Sequence, residues 1–489
     1  MTAPQTAPFI SSTLPVLGVG ITYMSELDSI INPDLVDYIE IEPQTLWMYK
    51  SGRYSMPQEL IDHVNQLSQH KLIHSVGLPV GGTFRGDTEQ INLLIRNIKD
   101  FKAPWASEHL GFNATSAFHT GFFLPPAQTE QGIKLAVNSI NFLQNQLPVP
   151  FAVETGVNYL KPVKGHLSDG EFIARIITEA DCGLLLDIHN LYANELNGRQ
   201  SIAEFMKQVP LERVWEVHLA GGFEMDGFYL DAHSGAMPER LIEIAHEVVS
   251  QLPNLKAITY ELLASYIPII GLDKVENEMG KIRKIWGSRL SSTGNTLTIK
   301  RDKKHPVALP DQSLCEWEEN LGGLAIGKDI GDAPIAIDPA IPLVQKLIQE
   351  FRASMLVTVY RLTSRFLMLT LGVDVFKSIL NEFWKIYPPK QFASEEALNF
   401  STYLKDLDLK VPNLAKILEF EECTLLTLLD NETRIVTFDH DPFPLLRSLS
   451  EGTLSTMDRQ KGCYEIELTG DLDNGEFSQL LAGNYAVNH

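Results

Sequence analysis

Residues 182–192 read CGLLLDIHNLY, an apolar run that stops on three groups able to bind a metal: Asp187, His189 and Asn190. A strand buried on both faces shows such an unbroken run, but it normally gives way to a glycine or a polar turn. The pattern recurs. Between residues 15 and 261 lie eight short β-like segments, VLGVG, VDYIEIE, KLIHSV, PWASEH, PFAVE, GLLLD, VWEVH and AITYE. Most are separated by stretches of helical periodicity, such as MPQELIDHVNQLSQH (56–70) and EQGIKLAVNSINFLQNQL (130–147). Eight buried strands alternating with helices over roughly 270 residues predict an α/β fold, a (β/α)8 TIM-like barrel whose active site lies at the C-terminal ends of the strands. A doubly wound open sheet is the alternative.

Composition narrows the ligand. The chain has 489 residues, with 62 acidic against 40 basic side chains and a formal charge of −22, a field that repels phosphate backbones and favours cations. Nucleic acid is therefore not the expected partner. Cys182, Cys315, Cys423 and Cys463 are scattered, without disulfide-scaffold density or CxxC spacing. The stretch MTAPQTAPFISSTLP lacks the basic and apolar regions of a signal peptide, and no run of 18 apolar residues suggests a membrane span. A cytoplasmic protein is expected.

The barrel is assigned to residues 1–290. SSTGNTLTIKRDKKHPVALPDQ (291–312) is polar and rich in turn formers and reads as a linker. Residues 313–489 have a different texture, with the long amphipathic segments IPLVQKLIQEFRASMLVTVYRLTSRFLMLTLG, VDVFKSILNEFWKIY and SEEALNFSTYLKDLDL. TRIVTFDHDPFPLL (433–446) and CYEIELTG (463–470) alternate with period two. The expectation is a mainly helical second domain with a small terminal sheet.

The polar groups fall at the strand ends. KLIHSV carries His74, PWASEHL carries Glu108 and His109, and PFAVE ends at Glu154. GLLLD ends at Asp187, followed by His189 and Asn190; VWEVH ends at His218, LDAHSG supplies Asp231 and His233, and AITYE ends at Glu261. In a barrel these ends converge on one cavity. Carboxylates mixed with imidazoles suit iron, manganese or zinc. The set exceeds what one ion can use, so two or three bridged ions are expected. Any single histidine could be a hydrogen-bonded rim residue, but polar groups at most of the buried strand ends would each need a partner. Glu40 and Glu42, on one side of IEIEP, are expected to support the ligands. His63, His70, His166 and His246 are expected to face solvent.

At these residues the sequence resembles the multinuclear non-haem iron-dependent oxidases, barrel enzymes that modify ribosomally made peptides. The matching stretches are LGVGI (17–21), IHSVGL (73–78), SEHLGF (107–112), FAVETGVNYL (151–160), CGLLLDIHNLY, EVHLAGG (216–222), DGFYLDAHSGAMPE (226–239) and TYELL. The resemblance implies ligands at His74, His109, Glu154, Asp187, Asn190, His218, Asp231, His233 and Glu261. It also implies two or three irons of mixed Fe(II)/Fe(III) valence, O2 as co-substrate, and a precursor peptide oxidised at a cysteine or near its C-terminus. Asp187, His189, Glu154 and Glu261 are the expected catalytic groups. DIHN stands where the family usually reads DVNN, which makes His189 a candidate extra ligand, and EIEPQT stands where it usually reads an EVHAEN-like string. The second domain, through VYRLTSRFLMLTLGVDVFKSILNEFWKIYPP, resembles the partner proteins that present the peptide to such oxidases. A barrel metallohydrolase of the apurinic endonuclease type, an isomerase of the xylose isomerase type and a non-enzymatic metal-binding module remain alternatives; the first would need a basic DNA-binding face, which −22 opposes.

Overall fold

The computed structural model describes residues 14–50, 53–290, 311–331, 334–407, 409–454 and 460–469. All eight apolar segments are strands: β1 Gly18–Thr22, β2 Tyr38–Ile41, β3 Lys71–Ser75, β4 Ala106–His109, β5 Phe151–Glu154, β6 Gly183–Asp187, β7 Val214–Ala220 and β8 Ala257–Glu261. Each pairs in parallel with its neighbours, in the closed order β1-β8-β7-β6-β5-β4-β3-β2. The fold is thus a barrel, and the open sheet is excluded. Its strands are buried almost throughout, because one face meets the interior and the other the helices; hence the continuous apolar runs. Gly183 opens β6 because a Cβ there would stand 2.3 Å from the Trp215 ring. Trp215 joins Tyr38, Leu72 and Trp105 in an apolar cluster at the N-terminal strand ends. That end is closed by packing, which leaves the C-terminal end for chemistry.

Hairpins are inserted after β2, β4 and β7, at Met48–Lys50 with Arg53–Ser55, Phe112–Ala114 with His119–Leu124, and Phe223–Met225 with Phe228–Leu230. They extend the wall around the mouth. Of the expected linker, 291–310 lie outside the described residues. Asp311 and Gln312 belong to the next element instead: Asp311 accepts a 2.8 Å bond from the Ser313 amide and caps the helix Gln312–Ala325.

Beyond it the chain is mainly helical: Ile341–Val359, Arg361–Leu371, Val373–Ile386, Ala393–Leu407, Leu414–Asp430 and Phe443–Ser450. The segment read as one run from Ile341 to Gly372 breaks at Tyr360. Glu421, buried on the helix Leu414–Asp430, accepts 2.7 Å bonds from the amides of Leu362 and Thr363. A carboxylate from 60 residues away in sequence, roughly, thus holds a new helix N-terminus that periodicity alone continues through. The small sheet is the antiparallel pair Arg434–His440 and Lys461–Leu468. Its apolar side chains Val436, Phe438, Ile466 and Leu468 lie in the helical core. TRIVTFDHDPFPLL is only half strand: from Phe443 it is helix, since proline is tolerated in a first turn.

The helical region covers the barrel mouth. Leu321, Ile341, Val344 and Ile348 share a core with Phe112, Leu124, Tyr159 and Leu230. Phe392 packs 5.6 and 5.4 Å from the rings of Tyr49 and Tyr54. Glu318 accepts bonds from the Thr83 amide (2.8 Å) and hydroxyl (2.5 Å). Two of the histidines expected to face solvent do not. His63 and His70 are exposed, but His166 is half-buried beside Trp317 (5.4 Å) and half-buried His246 sits 2.6 Å from the Ser288 hydroxyl. All four cysteines are free. Among the described residues no helix is long and apolar enough to cross a membrane.

Candidate metal centre

Strand register places the candidate ligands. His109 lies opposite Glu154 across β4 and β5, Asp187 opposite His218 across β6 and β7, and Ala220 opposite Glu261 across β7 and β8. Because the strands are staggered around a closed barrel, groups far apart in sequence reach a common level. A cavity of about 430 Å³ opens there, with His74, His109, Glu154, Asn190, Asp231, His233 and Glu261 on its wall.

Three groupings have metal-ligand spacing: Glu40, Glu216 and His218, and two that meet at one residue, His74, His109 and Glu154 with Glu154, Asp187, His218 and Glu261. Glu154 belongs to both. Its Oε2 is 3.1 Å from Nε2 of His74 and of His109, while Oε1 faces His218 Nδ1 at 3.8 Å. His218 Nδ1 is also 3.1 Å from Glu261 Oε1. Ligands held about 2.0–2.2 Å from one ion at right angles stand about 3 Å apart, so these separations fit shared coordination. Glu154 Oε2, Asp187 Oδ2, Asn190 Oδ1, His218 Nδ1 and Glu261 Oε2 are buried with no hydrogen-bond partner. Buried polar atoms are rarely left so; a cation would satisfy all five.

Electrostatics agrees. Burial pushes the Asp187 carboxyl well above its ordinary range, and the neighbouring Glu261, Asp231 and Glu154 add to it. Burial opposes charge on Glu261 too, yet His218 and His233 hold it down to about 2. His218 is raised well above the ordinary imidazole range: burial opposes its charge, but Glu261 and Glu40 outweigh it. The cluster is therefore an excess of negative charge around a few imidazoles, the condition that positive ions relieve.

A further pair flanks these. Asp231 Oδ1 is 2.9 Å from His233 Nε2, and Glu261 Oε2 is 3.5 Å from the same nitrogen. His233 has φ of +44°, a strained conformation for a side-chain-bearing residue, of the kind kept where geometry must be held. His189 stands apart from the three ligand groupings. Its Nδ1 is 3.0 Å from Asp231 Oδ1, while Nε2 points to Gly222, where a Cβ would come within 2.8 Å. The histidine of DIHN is thus bonded to Asp231 through Nδ1, its Nε2 is buried with no hydrogen-bond partner, and Gly222 makes room for its ring. Asp187 Oδ1 accepts from the Asn190 amide at 2.9 Å, and Asn190 Nδ2 donates to the Thr155 carbonyl at 3.2 Å. These bonds aim Oδ2 of Asp187 and Oδ1 of Asn190 inward.

Below His218, Glu40 Oε1 lies 3.0 Å and Glu216 Oε1 3.7 Å from Nε2. Burial pushes Glu40 up, whereas against burial the hydrogen bonds from Glu40 and His218 hold Glu216 down to about 2. Such carboxylates fix the ring orientation of a ligand histidine. Glu40 was expected in this role; Glu216 was not, although its period-two spacing from His218 carries the signal. Glu42 lines the cavity. Two other features had no sequence signal: Phe123 stacks on His109 with ring centres 4.1 Å apart, and Phe351 and Gln391 of the helical region reach the cavity wall.

A family model described as RiPP precursor modification enzyme MbnB/TglH/ChrH matches residues 18–286. A UPF0276 protein of Streptomyces avermitilis is 26% identical over 282 residues, 56% of this chain; the chain spans about half of that relative's length, 55%. A UPF0276 protein of Acinetobacter baylyi is 26% identical over 58% of this chain and 96% of its own. Among solved structures, a xylose isomerase domain containing protein from Salmonella typhimurium has 12% identity and a TM-score of 0.39 over 56% of this chain and 99% of its own.

Proposed function

This chain belongs to the family of RiPP precursor modification enzymes, and from that premise we propose that it is an iron-dependent, O2-using oxidase of a ribosomally made precursor peptide. The observation that carries the metal reading is Glu154, shared between two groupings of ligand-spaced atoms in one cavity. His74, His109 and Glu154 would hold one ion, and Glu154, Asp187, His218 and Glu261 a second. Asp231 and His233, with Asn190 nearby, offer a third position. Iron, when bound, supplies redox chemistry with O2 and binds a substrate thiolate at neutral pH.

The chain's own residues do the rest. Glu40 and Glu216 hold the His218 ring so that Nδ1 faces the cluster, and His189 holds Asp231. Phe122, Phe123, Leu263 and Phe351 make one side of the cavity apolar, which limits water around a reactive centre. The helical region presents the peptide. Its two-stranded sheet offers main-chain edges to which an extended segment can add, and tethering to the barrel raises the local concentration of bound peptide.

Elemental analysis of anaerobically purified protein tests the reading: two or three irons per chain are expected, falling in Glu154→Ala. Full iron retention in that variant, or zinc alone in active protein, would overturn it.

A further inference from the structure

Beside the metal cavity is a second one of about 250 Å³, lined by Arg85, Tyr54, Gln90 and others, and the two share Asn113, His119 and Gln391 as a wall. The smaller cavity lies between the loop after β3 and the segment Pro388–Phe392 of the helical region. That segment is locked in place: Gln90 Nε2 donates to Gln391 Oε1 (3.0 Å), Gln391 Nε2 to the Gly77 carbonyl (3.3 Å), and Pro389 Cβ would stand 3.2 Å from a Cβ at Gly121. The barrel alone would leave this hollow open on one side.

Its charge is unusual for a chain of −22. Arg85 is half-buried, rests 5.1 Å over the Phe142 ring and makes no ion pair among the described residues. Asn113, on the shared wall, makes no side-chain hydrogen bond to a described residue. Asp87 is the acid on the wall, and its Oδ1 is engaged by the Glu89 amide at 2.9 Å as the cap of the helix Thr88–Asp100. His119 is kept neutral, first by burial and then by the charge of Lys390. Arg85 and Asn113 thus line a hollow next to a reaction site crowded with carboxylates.

We propose that this side cavity is a subsite for a carboxylate of the substrate peptide, with Arg85 as its charged partner. It rests on the peptide-oxidase reading and adds what decides where the peptide sits. A residue placed over the ligand cluster puts a neighbouring carboxylate, terminal or on a side chain, into the hollow. Arg85 attracts a substrate carboxylate into the side cavity while the reacting residue lies over the ligand cluster, so the two cavities together fix the direction of the chain across the mouth. Gln391 makes the helical region part of that recognition.

The test is calorimetric binding to the full chain and needs no turnover. The probes are acetyl-Cys-Gly as free acid, its C-terminal amide, and acetyl-Cys-Asp with an amidated C-terminus. The wild type is expected to bind a carboxylate probe about tenfold more tightly than the uncharged amide, the scale of one charge-assisted pair. Arg85→Gln removes that preference and leaves the amide unchanged; Arg85→Lys keeps part of it. Preference for the free acid assigns a terminal carboxylate and preference for the aspartyl probe a side chain, either of which supports the subsite. Equal binding of all probes by the wild type, or an equal loss of all in Arg85→Gln, overturns the subsite alone. If no probe binds, the subsite falls together with the peptide reading.

Discussion

The barrel mouth and the helical region both bury charge, but they treat it in opposite ways. In the helical region Arg352 Nε donates to Glu396 Oε1 at 2.6 Å and Nη2 to the Tyr387 carbonyl at 2.7 Å, while the Lys390 amide takes Glu396 Oε2 at 3.2 Å. Glu421 is likewise satisfied by two backbone amides. In the mouth, side-chain atoms of Glu154, Asp187, His189, Asn190, His218 and Glu261 are buried with no hydrogen-bond partner. Paired charge of the first kind fixes where chain segments meet: Arg352 and Glu396 pin the helix Ile341–Val359 to the segment that lines the side cavity. An excess of buried carboxylates over imidazoles, as in the second case, destabilises the fold unless something cationic arrives. Burial alone therefore does not mark a functional group; the convergence of several buried carboxylates and imidazoles without hydrogen bonds does.

The comparison can be broken most directly at Glu396. Removing it by Glu396→Ala leaves the Arg352 guanidinium buried without its counter-charge, and denaturant unfolding should show a loss of about 3–5 kcal/mol. A loss below 1 kcal/mol, on the order of an exposed pair, would show that the pair does not hold the region together.

Glu318, which ties the helical region to Thr83, sharpens the contrast through pH. Burial, its largest influence, raises the carboxyl to about 7. An acid whose folded pKa is raised binds its proton more tightly in the native state, so the stability it contributes is present below the unfolded value near 4.5 and is lost as pH rises toward 7. Across that window the wild type should lose on the order of 1–3 kcal/mol relative to Glu318→Gln, which does not titrate. Parallel stability curves for the two proteins between those pH values would refute the assignment.

The smallest change is expected where carboxylates are in excess. Asp187→Asn keeps an oxygen to cap the Asn190 amide, since asparagine caps as well as aspartate, but removes a buried negative charge surrounded by others. Metal-free protein should gain about 1 kcal/mol of stability, while bound metal falls. Destabilisation together with unchanged metal content would place Asp187 among the structural charges, on the same footing as Glu396.

The sequence by itself determined the barrel. A strand buried on both faces must be apolar throughout, so eight such runs are visible in the sequence, and candidate ligands such as His74, Glu154, Asp187, His218 and Glu261 are legible because strand ends in a barrel converge. It also told that the helical region is helical, since a 3.6-residue period is local. What lay beyond the sequence depends on partners distant along the chain. The break at Tyr360 is set by Glu421, the place of His189 by Asp231 and Gly222, and the solvent exposure of His166 by Trp317. The cover of the mouth by Phe351 and Gln391 belongs to the same kind. Periodicity records which face of an element is apolar but not what that face meets, and which nitrogen of an imidazole points at a metal, a carboxylate or a glycine is decided only when tertiary packing closes the distance.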